Sequence, residues 1–180
     1  MSQYYFTVSS LPWFDFESEP PVSMDTFNDV CESTLREEDY SLVKKASLDD
    51  FDFETANPVL KRWTVFEQSL RNELAKLRGA NLGIDSQKYV KQFIDNTTTP
   101  AIAAGAFKQE TPLKTELYLL KERWAFLDEL EAGHFFDVEN LIVYSLRLQI
   151  LERKVQFKTD AGNENFTEIY EQIKTSIREM

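Results

Sequence analysis

Cysteine and histidine are nearly missing from this chain, which has one of each, Cys31 and His134. One cysteine excludes an internal disulfide and any cysteine-rich metal site. One histidine excludes the carboxylate-bridged di-iron bundle, which needs two Glu-x-x-His motifs where this chain has only Glu131-x-x-His134. Long apolar runs are also absent. Nothing approaches the roughly 20 residues of a membrane span, and the polar start MSQYY does not read as a secretory signal. Glycine and proline are sparse, at 5 and 6 residues, which suits helices better than a turn-rich sheet protein. Basic residues are scarce at the front. Residues 1–56 hold 13 acidic and 3 basic side chains, so they carry nearly all of the net charge of −11. Such a front end repels nucleic acid and anionic lipid, and it either favours a basic protein partner or simply solvates the surface.

What is present is apolar and aromatic: 42% hydrophobic residues, with 14 Phe, 7 Tyr and 3 Trp in 180 residues, enough for one domain with a substantial core. The chain is organised around residues 111–157, which read as two long helices joined by a tight turn. Thr111 caps and Pro112 opens the first, Leu113, Leu117, Leu120, Trp124 and Leu127 follow at helical spacing, and Gly133 ends it. Asp137 caps the second, with Phe136 placed to staple onto Leu141. From Val138 to Leu151 that helix is apolar nearly all round, which predicts a central, buried element.

Upstream, Tyr4–Ser10 is β-branched and aromatic and reads as extended. Pro12, Pro20 and Pro21 bar a helix over the next stretch, whose Trp13, Phe14 and Phe16 should pin it across the body. Ser23 caps a short helix carrying Met24, Phe27, Val30 and Cys31. Thr34 and Glu37 have capping-box spacing for another helix ending near Ala46. After an acidic loop, Asn57 and Pro58 open a helix whose apolar face runs from Val59 to Leu77, with Gly79 as its stop. Pro58 to Gly79 and Pro112 to Gly133 share one frame, either an internal duplication or the common grammar of long helices. A shorter helix is expected from Ser86 to about Ile94, then a loop with at most one helical turn around Ala103–Ala106. A last amphipathic helix carries Phe166, Ile169, Tyr170, Ile173 and Ile177.

Each candidate for chemistry has a plainer structural explanation. Gly133 interrupts Glu131-x-x-His134. Asp49, Asp50, Asp52 and Glu54 look like part of a calcium loop, but counting from Asp50 the glycine and closing glutamate are replaced by Thr55 and Lys61. Ala103–Ala106 lacks the Gly-Lys-Ser/Thr ending of a phosphate loop and suits a tight packing contact. Cys31 falls on an apolar face, as a core residue does. The residues therefore point to no enzyme, no metal and no cofactor. Asp49, Asp50, Asp52 and Glu54 are the candidate partner-facing residues.

Three stretches together carry a resemblance: YYFTVSSLPWFDFESEPPVSMDTF, HFFDVENLIVYSLRLQILERKVQF and AGNENFTEIYEQI. In order and spacing they resemble the small uncharacterised proteins encoded in bacterial V-type ATPase operons, a family of unknown function with no catalytic residues to carry over. The resemblance implies a place beside, or in place of, the C/d component of that ATPase. That component is the all-helical central-stalk socket of a machine moving protons or sodium ions, and its three repeats exceed this chain's length. The expectation is thus a single all-α domain over 1–180, with an extended aromatic arm at 1–22 and a helical bundle at 23–180. It would be cytoplasmic, held at the inner membrane only through the complex, with stalk or rotor subunits as partners and neither nucleic acid nor membrane insertion. A free-standing helical adaptor or assembly factor is the alternative, and a small helical ligand binder or enzyme a further one.

Overall fold

The computed structural model describes residues 3–51, 54–91 and 96–157. Among them are seven α-helices, a single 3-10 turn and no strand: α1 (Gln3–Ser10), α2 (Met24–Thr34), α3 (Glu37–Lys44), α4 (Pro58–Leu82), the turn Ser86–Tyr89, α5 (Thr99–Phe107), α6 (Pro112–Glu131) and α7 (Val138–Gln156). The fold is all-α, as the composition implies. The last amphipathic segment, from Phe166, lies outside the described residues.

The caps of the hairpin act as their residue types dictate. Thr111 accepts the Lys114 N–H at 3.2 Å and Asp137 accepts that of Asn140 at 2.9 Å. Gly133 takes φ 92°, a left-handed value that costs glycine least. Helix α7 touches α1, α2, α3, α4 and α6, and Leu141, Ile142, Val143, Leu146, Leu148, Ile150 and Leu151 are fully buried. A helix ringed by neighbours needs apolar residues all round. In α6 the buried face is Leu119, Leu120, Arg123, Trp124, Leu127 and Leu130, while Leu113, in its first turn, is exposed.

Residues Tyr4–Ser10 are helical, not extended. Their composition favours strand, but Tyr4, Thr7, Val8 and Leu11 recur at i, i+3, i+4 and i+7 and all face the body. The Thr7 and Thr34 hydroxyls pair at 2.8 Å, and Tyr4 donates to Asp39 at 2.7 Å, tying α1 to α2 and α3. Burial, then the Asp39 carboxylate, push the Tyr4 hydroxyl up to about 12. Packing has overridden propensity here.

The segment after α1 is irregular and docked. Phe14 meets Trp124 and Tyr144 edge-on, Phe16 meets Trp124 edge-on, and Tyr144 donates to the Pro12 carbonyl at 3.0 Å. Trp13, expected to dock as well, is 83% exposed. Period-two alternation explains it: with Phe14 and Phe16 inward, residue 13 must point out.

Four helix boundaries also differ from the sequence expectation. Thr34 ends α2 instead of capping α3, its hydroxyl engaged by Val30 and Thr7, and α3 begins after Arg36 without a side-chain cap. Helix α4 runs through Gly79 and stops at Gly83, φ 65°. Gly79 is a packing glycine, since a Cβ there would lie 2.6 Å from that of Ser86. Of the helix expected from Ser86 to about Ile94, the described residues form only the 3-10 turn, and residues 92–94 lie outside them. Asn72 accepts the Lys91 N–H and donates to its carbonyl, both at 3.1 Å, so that peptide is bound to a side chain instead of a helix ladder. Finally, the loop expected at 99–107 is α5, with Pro100 in its first turn and alanine, the best helix former, predominant. Ala103 and Ala106 are buried, and a Cβ at Gly105 would lie 2.3 Å from the Tyr118 hydroxyl oxygen, which makes this the tight contact expected of small residues.

One ion pair crosses the core. Arg123 on α6 donates through Nε and Nη2 to the Glu67 carboxylate on α4, at 2.5 and 3.2 Å, and both side chains are buried. Burial works against the Arg123 charge, and Glu67 more than offsets it, so the guanidinium pKa lies above its ordinary value. Arg71 lies 3.6 Å from the same carboxylate and leads outward to Asp49.

Candidate interaction surfaces

The acidic loop between α3 and α4 is held from two sides. Gln149 of α7 donates to the Ala46 carbonyl and accepts the Leu48 N–H, while Trp63 donates to the Ser47 carbonyl and Arg71 to that of Leu48. Asp49 sits between Arg71, 3.4 Å away, and Arg153, whose Nη2 donates to it. Part of its charge therefore serves internal pairs with α4 and α7. Asp50 is exposed, its N–H bound to the Ser47 hydroxyl at 3.0 Å, and Glu54 is exposed at the far side of the loop. Asp52 lies outside the described residues. The arginine partners of Asp49 stand 22 and 104 positions away, beyond the reach of any local pattern.

Beside the loop is a cleft of about 270 Å³, with Asp49, Asp50, Arg71 and Lys91 among its lining residues. Charges of both signs line it, so it singles out no ligand class. Cys31 is fully buried, and burial pushes its thiol up to about 12, far from a reactive thiolate.

The turn between α6 and α7 is laced together. His134 Nδ1 and Asp137 Oδ2 lie 2.7 Å apart, and the His134 N–H donates to the Glu131 carbonyl. Asn140 donates to the His134 carbonyl, and Glu139 accepts from Asn57 at the start of α4. His134, Asp137 and Glu139 bring three ligand-type atoms within 4.8 Å of one another, the donor set of a small cation site. The helix they open points its positive end at them, which disfavours a cation, and their hydrogen bonds lock the turn.

That lock presents Phe135 and Phe136 outward. Phe136, which the sequence places to staple onto Leu141, meets Tyr5 of α1 with ring centroids 4.9 Å apart. Tyr5, Phe6, Phe135 and Phe136 form two consecutive pairs joined by that contact, each side chain 47 to 70% exposed. Exposed apolar groups in one place mark contact surfaces, and aromatics contribute most at such surfaces. Sequence reasoning does not single out these four. Two signals could have found them: Tyr5 and Phe6 fall off the inward stripe of α1, and Phe135-Phe136 is an aromatic pair in a tight turn.

The described chain is thus an all-helical body whose buried charges are paired within it and whose aromatic quartet faces outward. No described helix is long and apolar enough to cross a membrane. Residues 105–177, from within α5 through the central hairpin and beyond, match the model of a family described as "Protein of unknown function (DUF2764)". No curated protein and no solved structure matches the chain.

Proposed function

We propose that the protein is a non-catalytic part of a bacterial V-type ATPase, an accessory or central-stalk component of the C/d kind that works through protein contacts. The observation that carries the contact role is the exposed aromatic quartet, Phe135 and Phe136 on the locked turn and Tyr5 and Phe6 on α1, joined by the Tyr5–Phe136 contact. The choice of complex rests on the resemblance carried by the three sequence stretches, and an all-helical body is compatible with it. The acidic front end would steer a Lys- and Arg-bearing stalk or rotor partner towards this protein, acting more on the rate of association than on final affinity.

Co-purification tests the reading. Expressed with the ATPase subunits of its own genome, the tagged protein should recover them in stoichiometric amounts. Phe6→Asp combined with Phe135→Asp should reduce recovery by about tenfold or more, as loss of central aromatic anchors does, without changing the Tm, since both side chains are exposed. Association should slow as salt rises, because the field's reach falls from about 8 Å at physiological salt to about 3 Å at 1 M. Amide replacement at Asp50 should reproduce part of that slowing, whereas one at Asp49 also breaks its pairs with Arg71 and Arg153. Recovery of some other protein through the same aromatics would favour a free-standing adaptor. Recovery of ATPase subunits that ignores both aromatics would discard the quartet.

A further inference from the structure

The two stretches that supply the aromatic quartet are stripped of positive charge. Residues 1–35 contain no lysine or arginine, and neither do residues 124–146. The second stretch carries Asp128, Glu129, Glu131, Asp137 and Glu139, although the chain from residue 57 onward is nearly neutral as a whole. Folding adds a carboxylate from α3: Asp39 accepts from Tyr4, the neighbour of Tyr5, and the same hydroxyl lies within the fields of Arg36 and Glu139. Arg147 comes in from α7, but Asp128 and Glu131 already engage it. Phe135 and Phe136 therefore stand between Glu131 and Asp137, with Tyr5 and Phe6 against them and further carboxylates behind. The quartet is an apolar patch with an acidic rim.

We propose that the quartet receives the apolar face of a cationic amphipathic helix from a partner protein, whose Lys and Arg side chains reach the acidic rim and the ring faces. This rests on the contact role given to the quartet above and adds the chemistry of what it contacts. An ammonium or guanidinium is favoured there twice. The negative faces of the rings attract it within about 6 Å, and the carboxylates beside them complement its charge. The described residues form no strand, so they offer no sheet edge to a backbone-paired extended peptide, and side chains must do the recognising. The same rim disfavours other occupants. A second copy would set one acidic rim against another, and anionic lipid or nucleic acid would meet like charge.

Two synthetic amphipathic helices, one of Leu and Lys and one of Leu and Glu at the same spacing, test this by fluorescence anisotropy on the full-length protein. The Leu/Lys helix should bind about tenfold or more tightly than the Leu/Glu helix at physiological salt. Phe6→Asp with Phe135→Asp should weaken Leu/Lys binding by about tenfold or more. Those substitutions add negative charge, so mere attraction to an acidic protein would strengthen binding instead. If that variant fails to fold, Phe135→Ser reads the same contact from the turn, with a smaller loss of the same sign. Asp39→Asn with Asp128→Asn should narrow the preference for Leu/Lys, since Asn can still accept from Tyr4 and Glu131 still holds Arg147. Equal binding of the two helices would overturn the proposal, as would Leu/Lys binding that the aromatic substitutions leave unchanged or strengthen. Self-association abolished by the same substitutions would assign the quartet to a second copy. Binding to neutral phosphatidylcholine vesicles, abolished likewise, would assign it to a membrane. Either result also overturns the proposal. ATPase subunits recovered through the aromatics, with the two helices binding equally, would remove this inference and leave the contact role standing. Helix binding as expected, with no ATPase subunit recovered, would remove the choice of complex and support this inference.

Discussion

Glu67→Leu should destabilise the protein by about 3–5 kcal/mol, because it strands a buried guanidinium. Arg123 directs Nε and Nη2 at Glu67 and lies too deep to reach water. The converse change, Arg123→Met, should cost less, since Arg71 remains 3.6 Å from the Glu67 carboxylate and can take over part of the pairing. The double variant should recover most of the loss and fall within about 1 kcal/mol of the parent, or above it, because apolar groups of similar volume often replace a buried pair without penalty. Urea melts of all four proteins give the cycle. If the two single losses simply add in the double variant, the pair is not the coupled unit that its geometry indicates.

Leu148→Ala should cost about 2–5 kcal/mol, the range for a buried large-to-small change. Leu148 is fully buried in α7, the helix contacted by five others, so the cavity cannot relax from one side without disturbing another. Leu82→Ala, at the exposed end of α4, should stay within about 0.5 kcal/mol. Equal midpoints for the two variants would mean that α7 does not occupy the centre of the core.

The hairpin is legible in the sequence because its signals are local. Thr111, Pro112, Gly133 and Asp137 act within a few residues of themselves, and an all-apolar helix has few places to go. Where sequence reasoning fails, the deciding partner is remote. Whether Gly79 or Gly83 ends α4 depends on Ser86 packing against position 79. The Ser86 segment leaves the helical path because Asn72, nineteen residues before Lys91, binds that residue's peptide. Helix α1 is a different case: its composition suggests strand, and only the stripe at 4, 7, 8 and 11 speaks for a helix. At the candidate surface, the acidic residues can be counted from sequence, but the arginines that bracket Asp49 cannot be seen there. Tyr5 and Phe136 are joined only by folding.

The three tryptophans sit in three optical environments. Trp13 is in water; Trp63 is sealed, its indole N–H bonded to the Ser47 carbonyl; and Trp124 lies beneath Phe14 and Phe16 with the Arg147 guanidinium 5.3 Å from its ring. A soluble quencher will therefore extinguish Trp13 first, and Trp13→Phe leaves emission from two shielded indoles. Lifting residues 11–22 from the body uncovers Trp124 and leaves Trp63 dark to the quencher. The chain thus carries a built-in fluorescent gauge of whether its aromatic segment is seated, readable without any attached dye.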